Sequence, residues 1–196
     1  MLKQQKNEVS FPQILTFASF VGLVASFWQA AERVHMLKYP DQPLNCNMSP
    51  VVDCGGVLND RLAAVFGPPN ALIGIVVFAM LFALGIQRLL GGSWTVVTRK
   101  VAVFLTTLIM AFSLWFFGVS LYILGKICIF CVFIWAASMP IGIYGARDFL
   151  NSLKKPTGIV LWKRDMLNKY HFTVLVTVYA VMILLFLLKF QDYYFG

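Results

Sequence analysis

The sequence predicts an all-α integral membrane protein with five transmembrane helices, on three observations. Of 196 residues, 60% are hydrophobic and only 12% charged, against about 45–50% apolar and about 25% charged in soluble domains. The chain contains five long uncharged runs, and its Lys and Arg residues fall in the gaps between them. The basic excess also gathers on one side of the membrane once the runs are threaded through it. This pattern leaves almost no room for a water-soluble enzyme, and it removes the nucleic-acid partner that a net charge of +8 would otherwise suggest.

The runs cover residues 9–31, 62–87, 101–125, 127–146 and 170–188. Crossing a hydrocarbon core of about 30 Å takes about 20 residues at 1.5 Å each, so all are long enough. None alternates with period two, which argues against a barrel. The first run follows Lys3 and Lys6 and ends in small residues, as a cleavable signal peptide would. It exceeds the usual apolar length of about 7–15 residues and lacks a clear A-x-A site, which favours an uncleaved helix. In the second run Gly67, Pro68 and Pro69 delay the helix, which is expected to run from near Asn70 to near Leu90. The third and fourth runs meet in a tight turn, Leu124-Gly125-Lys126. The fifth follows a basic segment, 147–169, whose Leu150, Leu153, Leu161 and Trp162 suit either a membrane-surface segment or a solvated topological determinant. Between the first two helices, residues 32–69 form a long loop of the kind that is usually functional or disordered.

With the N-terminus inside, eleven of the sixteen Lys and Arg residues face the cytoplasm: Lys3, Lys6, Arg88, Arg99, Lys100, Arg147, Lys154, Lys155, Lys163, Arg164 and Lys169. The five outside are offset by Glu32, Asp41, Asp53, Asp60 and Asp192, so the entire net charge of +8 lies inside. The C-terminus and all four cysteines then fall on the periplasmic or extracellular side of a cell (inner) membrane, where disulfides persist.

Cys46 and Cys54 lie in the outer loop among Pro43, Pro50, Gly55 and Gly56. Cys128-Ile-Phe-Cys131 opens the fourth helix, and its i, i+3 spacing puts both sulfurs on one face. The helix N-terminus and nearby Lys126 are expected to favour a thiolate there. A mobile dithiol above a fixed one suits a relay by thiol–disulfide exchange. Two static disulfides and a Cys₄ zinc site are the alternatives, although only one pair has zinc-knuckle spacing.

Electrons reaching the C-x-x-C need an acceptor. With no haem-attachment or dinucleotide motif in the chain, a lipid-soluble quinone is the natural choice. Phe130, Phe133, Trp135, Phe116, Phe117, Tyr122, Ile73 and Val77 can line an apolar pocket, or serve as packing residues. Asn70 is placed either to cap its helix or to donate to a quinone carbonyl. Residues 57–66, with Val57 and Leu58 on the apolar side, suit a short amphipathic helix capping the pocket.

Taken in order, Cys46-Asn-Met-Ser-Pro-Val-Val-Asp-Cys54-Gly-Gly-Val-Leu-Asn, Phe66-Gly-Pro-Pro-Asn70-Ala-Leu-Ile-Gly74 and Cys128-Ile-Phe-Cys131 resemble the vitamin K epoxide reductase family, most closely its bacterial members. The likeness spans about residues 11–144. It implies a four-helix bundle around a quinone (ubiquinone or menaquinone), with one peripheral helix. Residues 1–146 would form the core, 147–169 a cytoplasmic loop, and 170–196 the fifth helix and an outer tail. It also implies that electrons enter at Cys46 and Cys54, and that Cys128 exchanges with the loop while Cys131 faces the quinone. Asn70 matches a quinone-contacting asparagine of animal members. Trp135 stands where those members have Tyr, so a hydrogen bond from that site to the quinone would come from an indole N–H, and the resemblance implies reduction of the quinone ahead of reduction of its epoxide. Many bacterial members carry a thioredoxin-like domain after the fifth helix. This chain ends at Gly196, so a separate exported thioredoxin-like protein of the DsbA type is the expected partner.

Overall fold

The computed structural model describes residues 11–42, 44, 46–153 and 157–195; Lys3, Lys6, Pro43, Lys154 and Lys155, used above, lie outside them. Described residues form helices α1 (Phe11–Lys38), α2 (Cys54–Asn59), α3 (Asn70–Leu89), α4 (Val96–Val119), α5 (Ile129–Ser152), α6 (Gly158–Lys189) and α7 (Gln191–Phe195). A 3₁₀ turn, Arg61–Ala64, follows α2, and a π-helical turn, Ser120–Leu124, extends α4. Five of these segments are long and apolar enough to cross a membrane: α1, α3, α4 with its π turn, α5 and α6. The five predicted spans are therefore present, and α3 begins at the expected asparagine.

Three expectations need correction. The first helix does not stop near Ala31 but runs to Lys38, because no Gly or Pro falls between Glu32 and Lys38 and its outer turns pack on the loop. Segment 147–169 is mostly helix, since α5 continues to Ser152 and α6 starts at Gly158. Residues 57–66 form two short helices: the Asp60 side chain accepts from the Leu62 amide at 2.8 Å, which starts a new turn and ends the old one.

Helices α1, α3, α4 and α5 form a bundle, with α6 packed along α5. Lipid offers no hydrophobic drive for helices to associate, so close packing rests on small residues. The buried face of α1 carries Ala18, Ser19, Gly22, Ala25 and Ser26, spaced by one helical turn. A side chain at Gly22 would enter the Phe78 ring of α3, and a Cβ at Gly74 of α3 would come within 2.7 Å of Ser26 Oγ. The α1–α3 approach therefore depends on these two glycines. Exposed side chains such as Phe17, Phe104 and Phe172 face the lipid.

Helix α6 is held by a polar contact of a kind that membranes require. Pro140 inside α5 lacks the amide that would serve the Ala136 carbonyl one turn earlier. The Tyr179 hydroxyl on α6 donates to that carbonyl at 2.6 Å. Tyr179→Phe should cost about 1 kcal/mol of stability, and Pro140→Ala, which restores the missing donor, should remove most of that cost. Thermal unfolding in detergent of the two single variants and the double variant checks the coupling.

Candidate functional site

The outer loop is fixed against the start of α5 by backbone pairing. Val52 and Ile127 form a single parallel β-bridge, the Asp53 amide donates to the Ile127 carbonyl at 3.1 Å, and the Ile127 amide donates to the Val51 carbonyl at 2.8 Å. The bridge is possible because Gly125 adopts a left-handed φ of 61° after the π turn, a conformation that costs glycine little. Lys126 then reaches across to form an ion pair with Asp53. Burial opposes the Asp53 charge, but Lys126 and the Gly56 amide outweigh it and hold the carboxyl below its usual range. Asp53 also caps α2, accepting from Gly56 at 2.9 Å, so the residue just before Cys54 ties it to both helices.

This arrangement brings all four sulfurs together as buried free thiols. The four share one buried cluster, in which Cys54 acts electrostatically on both Cys46 and Cys128, and Cys128 on Cys131, giving the order Cys46, Cys54, Cys128, Cys131. The Cys54 thiol also donates to the Cys46 carbonyl at 3.4 Å. Among the described residues no group of three His, Cys, Asp or Glu side chains is placed to hold a metal ion.

The expected thiolate at Cys128 is not the favoured state. Its hydrogen bond with Cys131 and its burial raise the Cys128 pKa, and the opposing effect of Cys54 does not cancel them. The hydrogen bond with Cys128, then burial, raises Cys54. Burial is the main cause at Cys46. Lys126 is paired with Asp53.

Below Cys131 lies a cavity of about 310 Å³ between α1, α3, α4 and α5, roofed by Leu58, Ala63 and Phe66. That is the size of a small-ligand site. Asn70, Ile73, Phe116, Trp135 and Leu58 all line it, together with Cys131. Val57 does not: it is fully buried in the cluster that holds the cysteines, whereas Leu58 belongs to that cluster and lines the cavity as well. Phe133 and Tyr122 are corrected too, since both are more than half or half exposed at the outside of the bundle. Phe117 sits behind the wall, with its ring edge-on to Trp135 at 5.1 Å.

Asn70 does not cap α3; Pro69 holds that position and makes no side-chain cap bond. Instead Asn70 Nδ2 donates to the Leu62 carbonyl at 2.8 Å, and its Oδ1 accepts from the Val65 amide at 3.2 Å. Asn70 thus holds the roof in place while lining the cavity. Arg33 of α1 secures the other side of the roof by donating to the Leu58 carbonyl at the end of α2.

Gln29 and Ser26 are among the lining residues that the sequence reading did not name. Gln29 on α1, 7% exposed, donates from Nε2 to Cys131 Sγ at 3.1 Å. Ser26, one turn away, is fully buried, and its hydroxyl has no partner among the described residues. The signal was available in principle: Ser19, Ser26 and Gln29 repeat at helical spacing within an otherwise apolar run. The walls fit a quinone, being mostly apolar with a free hydroxyl and two carboxamides for its oxygens.

Comparison with curated proteins finds no match. The model of the vitamin K epoxide reductase family matches residues 13–146, a stretch that contains the four cysteines and every cavity-lining residue. The chain belongs to the vitamin K epoxide reductase family, whose members are in general membrane oxidoreductases acting between thiols and quinones.

Proposed function

We propose that the protein generates disulfides by passing electrons from a thioredoxin-like partner of the DsbA type, through its two cysteine pairs, to a membrane quinone. The observation that carries this reading is the order of the sulfurs, with Cys54 against Cys128 and Cys131 on the cavity wall. The one-sided basic charge supports an inner-membrane orientation with the cysteines outside. Residues 1–146 hold the relay, and α6 supports it from the side.

The partner dithiol reduces the Cys46–Cys54 disulfide and leaves oxidised. Cys46 takes the partner-facing role because Cys54 is the loop cysteine next to Cys128. Cys54 then attacks Cys128 of the Cys128–Cys131 disulfide, forming a Cys54–Cys128 bond and releasing Cys131 as thiolate. Cys46 attacks Cys54, which restores the loop disulfide and frees Cys128. A bound quinone accepts the two electrons and two protons of the Cys128–Cys131 dithiol. The raised pKa values of Cys46, Cys54 and Cys128 limit side reactions with stray oxidants, since the thiolate is the reactive form.

Cys128→Ala tests the relay. Purified variant given a dithiol donor and a short-chain quinone should reduce its loop pair but no quinone. Quinone reduction surviving at the wild-type rate would overturn the proposed path.

A further inference from the structure

Among the described residues the buried amide of Gln29 has no strong acceptor. A carboxamide inside a membrane bundle needs hydrogen-bond partners, because desolvating it without them is costly. Yet Nε2 of Gln29 is directed at Cys131 Sγ, 3.1 Å away, and a neutral thiol is a weak acceptor. A thiolate at the same place is a strong one. The Gln29 N–H is thus placed to bind a sulfur that develops negative charge more strongly than it binds a neutral thiol. The pairing joins residues 102 positions apart, so it is not a by-product of local geometry.

We propose that Gln29 is a catalytic residue that stabilises Cys131 as the leaving thiolate of the exchange between the cysteine pairs; the inference rests on the relay described above. When Cys54 attacks Cys128, the Cys54–Cys128 bond forms, the Cys128–Cys131 bond breaks, and the electron pair of the broken bond stays on Cys131. Exchange is faster when the leaving sulfur carries charge more easily. The Gln29 N–H supplies that stabilisation from a position fixed by α1. After the step, the same hydrogen bond holds Cys131 against the cavity, with Ser26 Oγ, one turn deeper, unpartnered among the described residues.

The ionisable side chains lining the cavity are Arg33 and Cys131, and Arg33 is engaged with the Leu58 carbonyl. This makes Gln29→Glu informative. A protonated Glu donates to the sulfur as Gln does, whereas an ionised one repels the thiolate. Gln29→Leu keeps the bulk and removes the donor.

The test uses full-length protein in detergent with the Cys128–Cys131 pair oxidised and the loop pair reduced. Exchange between the pairs is followed by rapid acid quench and thiol alkylation, without quinone. Gln29→Leu should slow exchange about tenfold or more at every pH. Gln29→Glu should approach wild type at low pH and fall away from it as pH rises. Thermal unfolding of both variants reports any fold defect, and a defect would be independent of pH in the exchange assay. Wild-type exchange with both variants matching it across the pH range overturns the role of Gln29 alone. Absence of exchange in the wild type overturns the relay itself.

Discussion

Cys131→Ala is expected to accumulate a disulfide between Cys54 and Cys128 and to reduce thiol-driven quinone reduction to background. Cys128 in this variant has no partner within its own pair, but it still lies against Cys54. Its attack on the loop disulfide forms Cys54–Cys128 and frees Cys46. The forward path from that species needs Cys131, so it is left only the return by Cys46. The backbone bridge of Val52 and Ile127 and the ion pair of Asp53 and Lys126 keep the two sulfurs together, which favours the trapped bond. Peptide mapping under non-reducing conditions should find Cys54 linked to Cys128. A dominant Cys46–Cys128 link would reverse the roles given to the two loop cysteines.

Gly74→Val should raise the quinone KM at least tenfold, equivalent to about 1.4 kcal/mol of lost binding, while exchange between the cysteine pairs continues. Gly74 lines the cavity, and even a Cβ there would lie 2.7 Å from Ser26 Oγ. The added methyls have two outlets, the cavity or the α1–α3 contact. Either displaces Ser26, and the first also fills volume that the quinone would occupy. Steady-state kinetics with a short-chain quinone, run beside the exchange assay, separates the two halves of the reaction. Equal loss in both would mean that the substitution acts by spreading the bundle.

Much of this was legible in the sequence because a membrane restricts structure severely. Charge-free runs of adequate length gave the five spans, and Pro68-Pro69 located the start of α3. Cysteine spacing gave the C-x-x-C at the head of α5. What the sequence did not yield depends on contacts between distant residues. Lys126 looked like a charge available to the thiols, but in the fold it is paired with Asp53, 73 residues away. The Cys128 thiolate expected from a helix N-terminus fails for a related reason: the neighbouring Cys131 sulfur and burial raise the thiol pKa. Val57 and Leu58 are adjacent and both apolar, so nothing in the sequence says that Leu58, and not Val57, also lines the cavity. Gln29 could have been noticed as a buried-face amide, but nothing in the sequence pairs it with Cys131.

The role of Asn70 is the most instructive change. Its position suggested a helix cap or a quinone donor. In the fold it binds the backbone of the 3₁₀ turn, so it shapes the roof of the cavity, and its second amide proton is left for another acceptor.

The most direct test of the electron path is the oxidation state of Cys128 and Cys131 as quinone is withdrawn and restored. Membranes carrying the protein are supplied with a dithiol donor, quinone is depleted and then added back, and free thiols are alkylated at each stage and located by mass spectrometry. The relay predicts that both cysteines are reduced without quinone and become oxidised when it returns. An unchanged Cys128–Cys131 disulfide in both conditions would contradict it.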